Sequence, residues 1–135
     1  MKIILDFDDT IFNTYRLMRE FLAIVKKFNF TEEEFFKAYQ RCKEKVGNFD
    51  SKIIIDLLSE IKPFDKTKVE NEIDLILNDL SDFVYSDFFD FAGSFQKKDL
   101  ILLSFGITVP QKAKINNSKI TGFFENIIIT SRDKA

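Results

Sequence analysis

The residues of this chain best suited to chemistry lie within its first ten positions. A short apolar run, Ile3-Ile4-Leu5, leads directly into Asp6, Asp8 and Asp9, and Thr10 closes the stretch. An apolar run of this length followed by polar residues reads as a buried parallel strand. In open α/β sheets, ligands bind just beyond the carboxyl ends of such strands. Asp6 and Asp8 alternate with Phe7, so strand geometry places both carboxylates on one side. The chain contains no histidine. Acid/base work therefore falls on carboxylates, Lys or Tyr, and any metal would be a hard ion held by oxygens, such as Mg2+. The same residues have a structural use, because Asp and Thr at a strand-to-helix turn also cap helices. The strand ahead of them and their N-terminal position favour the chemical reading.

The elements that must position these carboxylates follow from hydrophobic periodicity. Leu17, Phe21, Ile24, Val25 and Phe28 recur at helical spacing and predict a helix over 14–29. Thr31 to Glu34 is a capping-box signature opening a second helix, with Phe35, Phe36, Tyr39 and Cys42 on its apolar side and Gly47 at its end. A third helix opens near Asp50-Ser51, turns Ile54, Leu57, Leu58 and Ile61 inward, and stops at Pro63. Thr67 and Glu70 suggest another capping box, with a helix running to about residue 84. Leu100–Leu103 and Ile127–Thr130 then read as buried strands. Residues 108–116 between them read as a helix, with Pro110 tolerated in its first turn. The fold class is α/β: a strand, an all-helical stretch over 14–85, then strand–helix–strand. The stretch is far longer than ordinary α/β connections, which marks it as an insert.

Composition narrows the function classes. A chain of 135 residues suits one domain or a small core with an insertion. Hydrophobic content of 45%, including 17 Phe, is enough for a core. The net charge of −2 carries no basic footprint for nucleic acid. The single Cys42 forms no internal disulfide and fits a reducing compartment; without a histidine to activate it, it reads as a plain helix residue. The chain begins without a signal-peptide pattern and has no apolar stretch of the roughly 18 residues a membrane span needs. The expectation is a cytoplasmic protein with no membrane partner.

With these residues in view, Asp6-x-Asp8-x-Thr10 after an N-terminal apolar strand resembles the first motif of the haloacid dehalogenase (HAD) superfamily, in its phosphatase branch. The resemblance implies that Asp6 is a nucleophile forming an aspartyl-phosphate and that Asp8 is the general acid/base. An alkoxide leaving group needs the proton such an acid supplies, whereas a halide does not. Thr10 would orient the loop. Ser104, ending the strand at Leu100–Leu103, is similar to the second motif, and Ser104-Phe105-Gly106 would contact phosphoryl oxygens. The following Gln111, Lys114-Ile115, Gly122-Phe123-Phe124 and Ile127–Ile129 are similar to the stretch after that motif in capped members. The implied architecture is a Rossmann-like three-layer core from 1–13 and 86–135, with a helical cap at 14–85. The implied cofactor is Mg2+ on Asp6 and the Asp8 carbonyl, and the implied substrate is a small phosphate monoester.

A carboxylate attacking a phosphate dianion meets like-charge repulsion. At ~5 Å and an effective dielectric near 20, one pair of unit charges costs roughly 3 kcal/mol. A lysine must offset it, and Lys134 sits where the third-motif lysine is expected. Lys112 and Lys114, on the helix after Ser104, read as surface charges. The fourth motif, a further strand with metal-binding acids, has no match in these 135 residues. Two expectations follow: weak or absent activity of this chain alone, and an uncovered apolar edge at Lys2–Asp6 open to self-association. Two rival readings stay open. One is a related protein that binds a phosphorylated ligand without catalysis. The other is a phospho-receiver module with Asp56 after Ile53–Ile55, although residues 51–61 fit helical periodicity better.

Overall fold

The computed structural model describes residues 1–47 and 49–130, so Lys134 lies outside the described residues. Three strands form one parallel sheet in the order β1-β2-β3: β1 (Ile3–Asp6), β2 (Leu100–Phe105) and β3 (Asn126–Thr130). Asp6 pairs with Leu103, and Ser104 with Ile129. This register brings the Asp6 end of β1 level with the Ser104 end of β2. Leu100, Leu102 and Ser104 point into the core from the middle strand and are fully buried. Ile4, on β1, is 63% exposed.

Between β1 and β2 the chain forms α1 (Thr14–Lys26), α2 (Glu32–Val46), α3 (Ser51–Ile61), α4 (Lys66–Leu77) and α5 (Ser86–Gly93); α6 (Thr108–Asn117) joins β2 to β3. Most starts are set by side-chain caps. Asn13 accepts from Arg16 N–H, Asp50 from Ile53 N–H, and Thr31 with Glu34 completes the expected capping box. Gly47 closes α2 in the left-handed conformation, where glycine carries no Cβ penalty. The spacing of Phe28 suggested that α1 runs to 29, but it stops at Lys26, and Asn29 turns the chain at φ 70°.

Two expectations are corrected. The cap of α4 is Asp65, not Thr67: its carboxylate accepts from Lys68 N–H, so the helix is under way before Thr67. That helix ends at Leu77, because a separate 3-10 turn at Ser81–Phe83 follows. Residues 51–61 are helical and Asp56 is exposed on them, which removes the strand-end phospho-acceptor that the receiver reading needs.

The helical stretch leaves and rejoins the sheet side at one place. Phe12 and Val84 pair antiparallel; Asn13 N–H donates to Phe83 O (2.7 Å) and Tyr85 N–H to Ile11 O (2.8 Å). Phe12, fully buried, stacks on Phe7 (5.0 Å between centroids) and on Phe83 (5.8 Å). Among the described residues no helix is long and apolar enough to cross a membrane.

Candidate active site

β1 ends at Asp6, and Phe7 turns inward to full burial. The Phe7 carbonyl then accepts N–H groups from Thr10 (3.3 Å), Ile11 (2.9 Å) and Phe12 (3.0 Å), curling residues 7–12 into a tight loop. Asp9 sits at φ 63° in that loop, a conformation that Asp tolerates better than most residues. The loop holds Asp6, Asp8 and Asp9 around one cleft of about 220 Å³. Thr14 and Phe105 complete this wall, and Tyr39, Lys43 and Gly47 of the α2 region face it.

Asp6 Oδ1 accepts the Phe7 N–H at 2.8 Å. Burial pushes its carboxyl above the ordinary range; the Phe7 N–H opposes this, and the charges of Asp8 and Asp9 add to it. Asp8 is held on both oxygens. Oδ1 accepts from Lys114 Nζ (2.5 Å) and Thr14 Oγ1 (3.0 Å), and Oδ2 accepts from Gln111 Nε2 (2.9 Å). Gln111 Nε2 also donates to Ser104 Oγ at 2.7 Å. One amide thus joins the acid after β1 to the serine ending β2. Lys114 is buried, with its ammonium 5.0 Å from the Phe12 ring centroid and 5.6 Å from that of Phe7. On the opposite wall Lys43 Nζ lies 5.5 Å from the Tyr39 ring centroid. Burial raises the Tyr39 phenol above its ordinary value, and the charges of Asp9 and Asp8 act in the same direction.

The residues singled out in the sequence are thus distributed unevenly. Asp6, Asp8 and Phe105 line the cleft, and Ser104 lies behind it, fully buried on Gln111. Gly106 adopts φ 149° and donates its N–H to Thr130 O (3.0 Å), tying the end of β2 to β3. Thr10 lines a different cavity, with Leu5, Ile11, Phe88 and Phe91. Lys114 is not a surface charge: it is the buried partner of Asp8. Sequence reasoning passed over Thr14, Tyr39 and Lys43 as site residues. For Gln111 and Lys114 a signal existed, since residues three apart share a helix face and α6 starts right after Ser104.

The oxygens of Asp6, Asp8 and Asp9 suit a hard cation such as Mg2+, which is commonly held by one or two carboxylates plus water and substrate oxygens. Among the described residues no group of three acidic, Cys or His side chains forms a ready cage.

No protein-family profile matches the sequence, and no curated protein does. Solved structures do match. A haloacid dehalogenase-like hydrolase from Burkholderia xenovorans aligns over 93% of this chain with a TM-score of 0.70 at 18% identity. The fold is that of the haloacid dehalogenase-like hydrolases. A family hydrolase from Xanthomonas campestris aligns over 96% of the chain (TM-score 0.64, 17% identity). The HAD-hydrolase YfnB of Bacillus subtilis, described in its magnesium-bound form, aligns over 93% (TM-score 0.56, 20% identity). The chain spans 60%, 61% and 61% of the lengths of these three structures, respectively. The HAD-like fold places the Asp6 cleft beyond the carboxyl ends of parallel strands, where α/β sheets bind ligands.

Proposed function

We propose that this chain carries the catalytic chemistry of a phosphate monoesterase acting on a small phosphorylated molecule. The observation that supports this most is the placing of two carboxylates on one cleft. Asp6 stands at the tip of β1, and Asp8 is fixed beside it and tied to Ser104 through a single amide. An Asp6 oxygen attacks phosphorus, and the bond from phosphorus to the ester oxygen breaks. Asp8, resting as the carboxylate paired with Lys114, takes up a proton from solvent and passes it to that departing oxygen, and the Lys114 ammonium again balances the carboxylate left behind. Asp8 then takes a proton from the water that attacks the aspartyl-phosphate, releasing phosphate and restoring Asp6. Ser104 supports the phosphate end of the cleft from behind, through Gln111, Phe105 lines that end, Gly106 anchors it to β3, and Thr10 braces the loop from its far side.

Mg2+ would be the fitting cofactor: Asp6 and the backbone of Asp8 would hold it, and it would neutralise charge on the phosphoryl group. Lys134, outside the described residues, is the proposed countercharge. The helices between residues 14 and 85 act as a cap over a core built from 1–13 and 86–135, and they bring Tyr39 and Lys43 to the organic part of the substrate. Among the described residues β1 is an outer strand of the sheet, and such an edge favours pairing with another segment or a second copy. Cytoplasmic residence fits the lone Cys42, which is buried and in no disulfide.

The test is phosphate release from p-nitrophenyl phosphate. Turnover that needs Mg2+ and disappears in Asp6→Asn supports the reading. Weak turnover at high protein concentration is enough; its complete absence, or Asp6→Asn protein that keeps it, overturns the reading.

A further inference from the structure

The proposed reaction assigns no role to Gln111 and gives Lys114 only a charge to balance, yet both are buried polar side chains aimed at the site. We propose that Gln111, assisted by Lys114, is the positioning residue of this centre: it fixes the direction of the Asp8 carboxylate and the polarity of the Ser104 hydroxyl at once. The proposal rests on the phosphatase reading of Asp6, Asp8 and Ser104.

Gln111 and Lys114 leave α6 three residues apart, on one face. They are 3% and 6% exposed, and Lys is almost never that buried unless paired. The Asp8 carboxylate turns about two bonds, Cα–Cβ and Cβ–Cγ. An ammonium on Oδ1 at 2.5 Å and an amide on Oδ2 at 2.9 Å grip opposite ends of the carboxylate and remove that freedom. The amide cannot face the other way, because its carbonyl oxygen would then meet the Asp8 carboxylate.

The same amide settles the serine. Its NH2 has two hydrogens; one goes to Asp8 Oδ2 and the other to Ser104 Oγ. The Ser104 oxygen is therefore an acceptor towards Gln111, and its own hydrogen must point elsewhere. That leaves the hydroxyl as a donor directed away from Gln111. Gln111 converts an ambivalent hydroxyl into a committed one. Removing Gln111 leaves the protein able to bind a phosphate ester but with its acid and its donor no longer set relative to each other.

The experiment compares Gln111→Leu, Gln111→Glu and Lys114→Met with wild type, and uses Lys112→Met, an exposed neighbour on α6, as the control. Partners that hold a site ligand in place typically contribute about 10–100-fold. Gln111→Leu and Lys114→Met should lower kcat for p-nitrophenyl phosphate within that range, with KM little changed. Gln111→Glu should be at least as damaging as Gln111→Leu, because it sets a second carboxylate against Asp8 and reverses the Ser104 hydroxyl. Lys112→Met should match wild type. Crystal structures of Gln111→Leu and Lys114→Met should show the Asp8 carboxylate displaced from its wild-type position. Unchanged kcat alongside a lowered melting temperature makes the two residues merely structural and overturns the proposal, as does Asp8 unmoved in both variants. If wild type lacks Mg2+-dependent turnover, the phosphatase reading fails on its own, and the position of Asp8 in the two crystal structures still decides the positioning claim.

Discussion

The two walls of the cleft are built to different standards. The wall formed by the β1 loop and α6 is buried and fully committed: Asp8 accepts three hydrogen bonds, and Phe7 and Phe12 enclose the lysine that supplies one of them. The wall formed by α2 is half open. Tyr39 is half-buried, and Lys43 rests over its ring in solvent, with no carboxylate partner among the described residues. Under the proposed function the contrast matches a division of labour. Groups that handle the reacting bond gain from being immobile, since misplacement by an ångström is costly in rate. Groups that greet the variable part of a substrate gain from adaptability, and a lysine on a long flexible stem supplies it.

The sharpest way to break this comparison is to cut into the committed wall. Asp8→Ala strands the Lys114 ammonium in the interior. Leaving one member of a buried pair unpartnered typically costs about 3–5 kcal/mol, and urea unfolding should show a loss of that size. The double variant Asp8→Ala/Lys114→Met should recover most of it. A loss near that of a surface pair such as Arg41–Glu60, where under about 1 kcal/mol is usual, would show that the wall is not committed.

The open wall should answer differently. Lys43→Ala should leave kcat and stability alone and raise KM for a phosphate ester by about tenfold, equivalent to about 1.4 kcal/mol. A change in kcat with KM constant would place Lys43 among the fixed groups instead. The α2 helix itself depends on its cap, so Thr31→Ala should cost about 1 kcal/mol in thermal unfolding while the Asp8 network stays intact.

The smallest effect lies outside both walls. Asp79 accepts from the Ser81 hydroxyl and N–H and from Lys119, which together hold its carboxyl at about 2 rather than 3.8. A depressed folded-state value gives a contribution that is complete above pH 3.8 and is lost as pH falls towards 2. The melting temperature of Asp79→Asn should therefore lie slightly below wild type at pH 5, and the gap should close on acidification. A gap that widens in acid would contradict the assignment.

Much of this could be read from residue order. Apolar runs located all three strands, and the capping box at Thr31 and the cap at Asp50 fixed the starts of α2 and α3. α4 was displaced because two capping candidates, Asp65 and Thr67, lie two residues apart, and only the fold decides which carboxylate or hydroxyl meets the helix end. α5 went unseen: it has eight residues, no side-chain cap, and phenylalanines at 88, 89 and 91 that fit no single face. The site divides similarly. Asp6 and Asp8 announce themselves two positions apart. Lys114 is 106 positions from Asp8, and a lysine on a predicted surface helix looks solvated until packing brings a carboxylate over it. Tyr39 and Lys43 carry no local mark because the helical stretch must first fold back over the sheet.

The paired backbone at Phe12 and Val84 means that the chain sets out for the helices and comes home through a single doorway. What lies beyond that doorway can be lengthened, shortened or exchanged during evolution without shifting the frame that holds Asp6 and Asp8. Loop closure penalises such changes only logarithmically, so under the proposed function the choice of molecule and the chemistry performed on it can diverge at separate speeds.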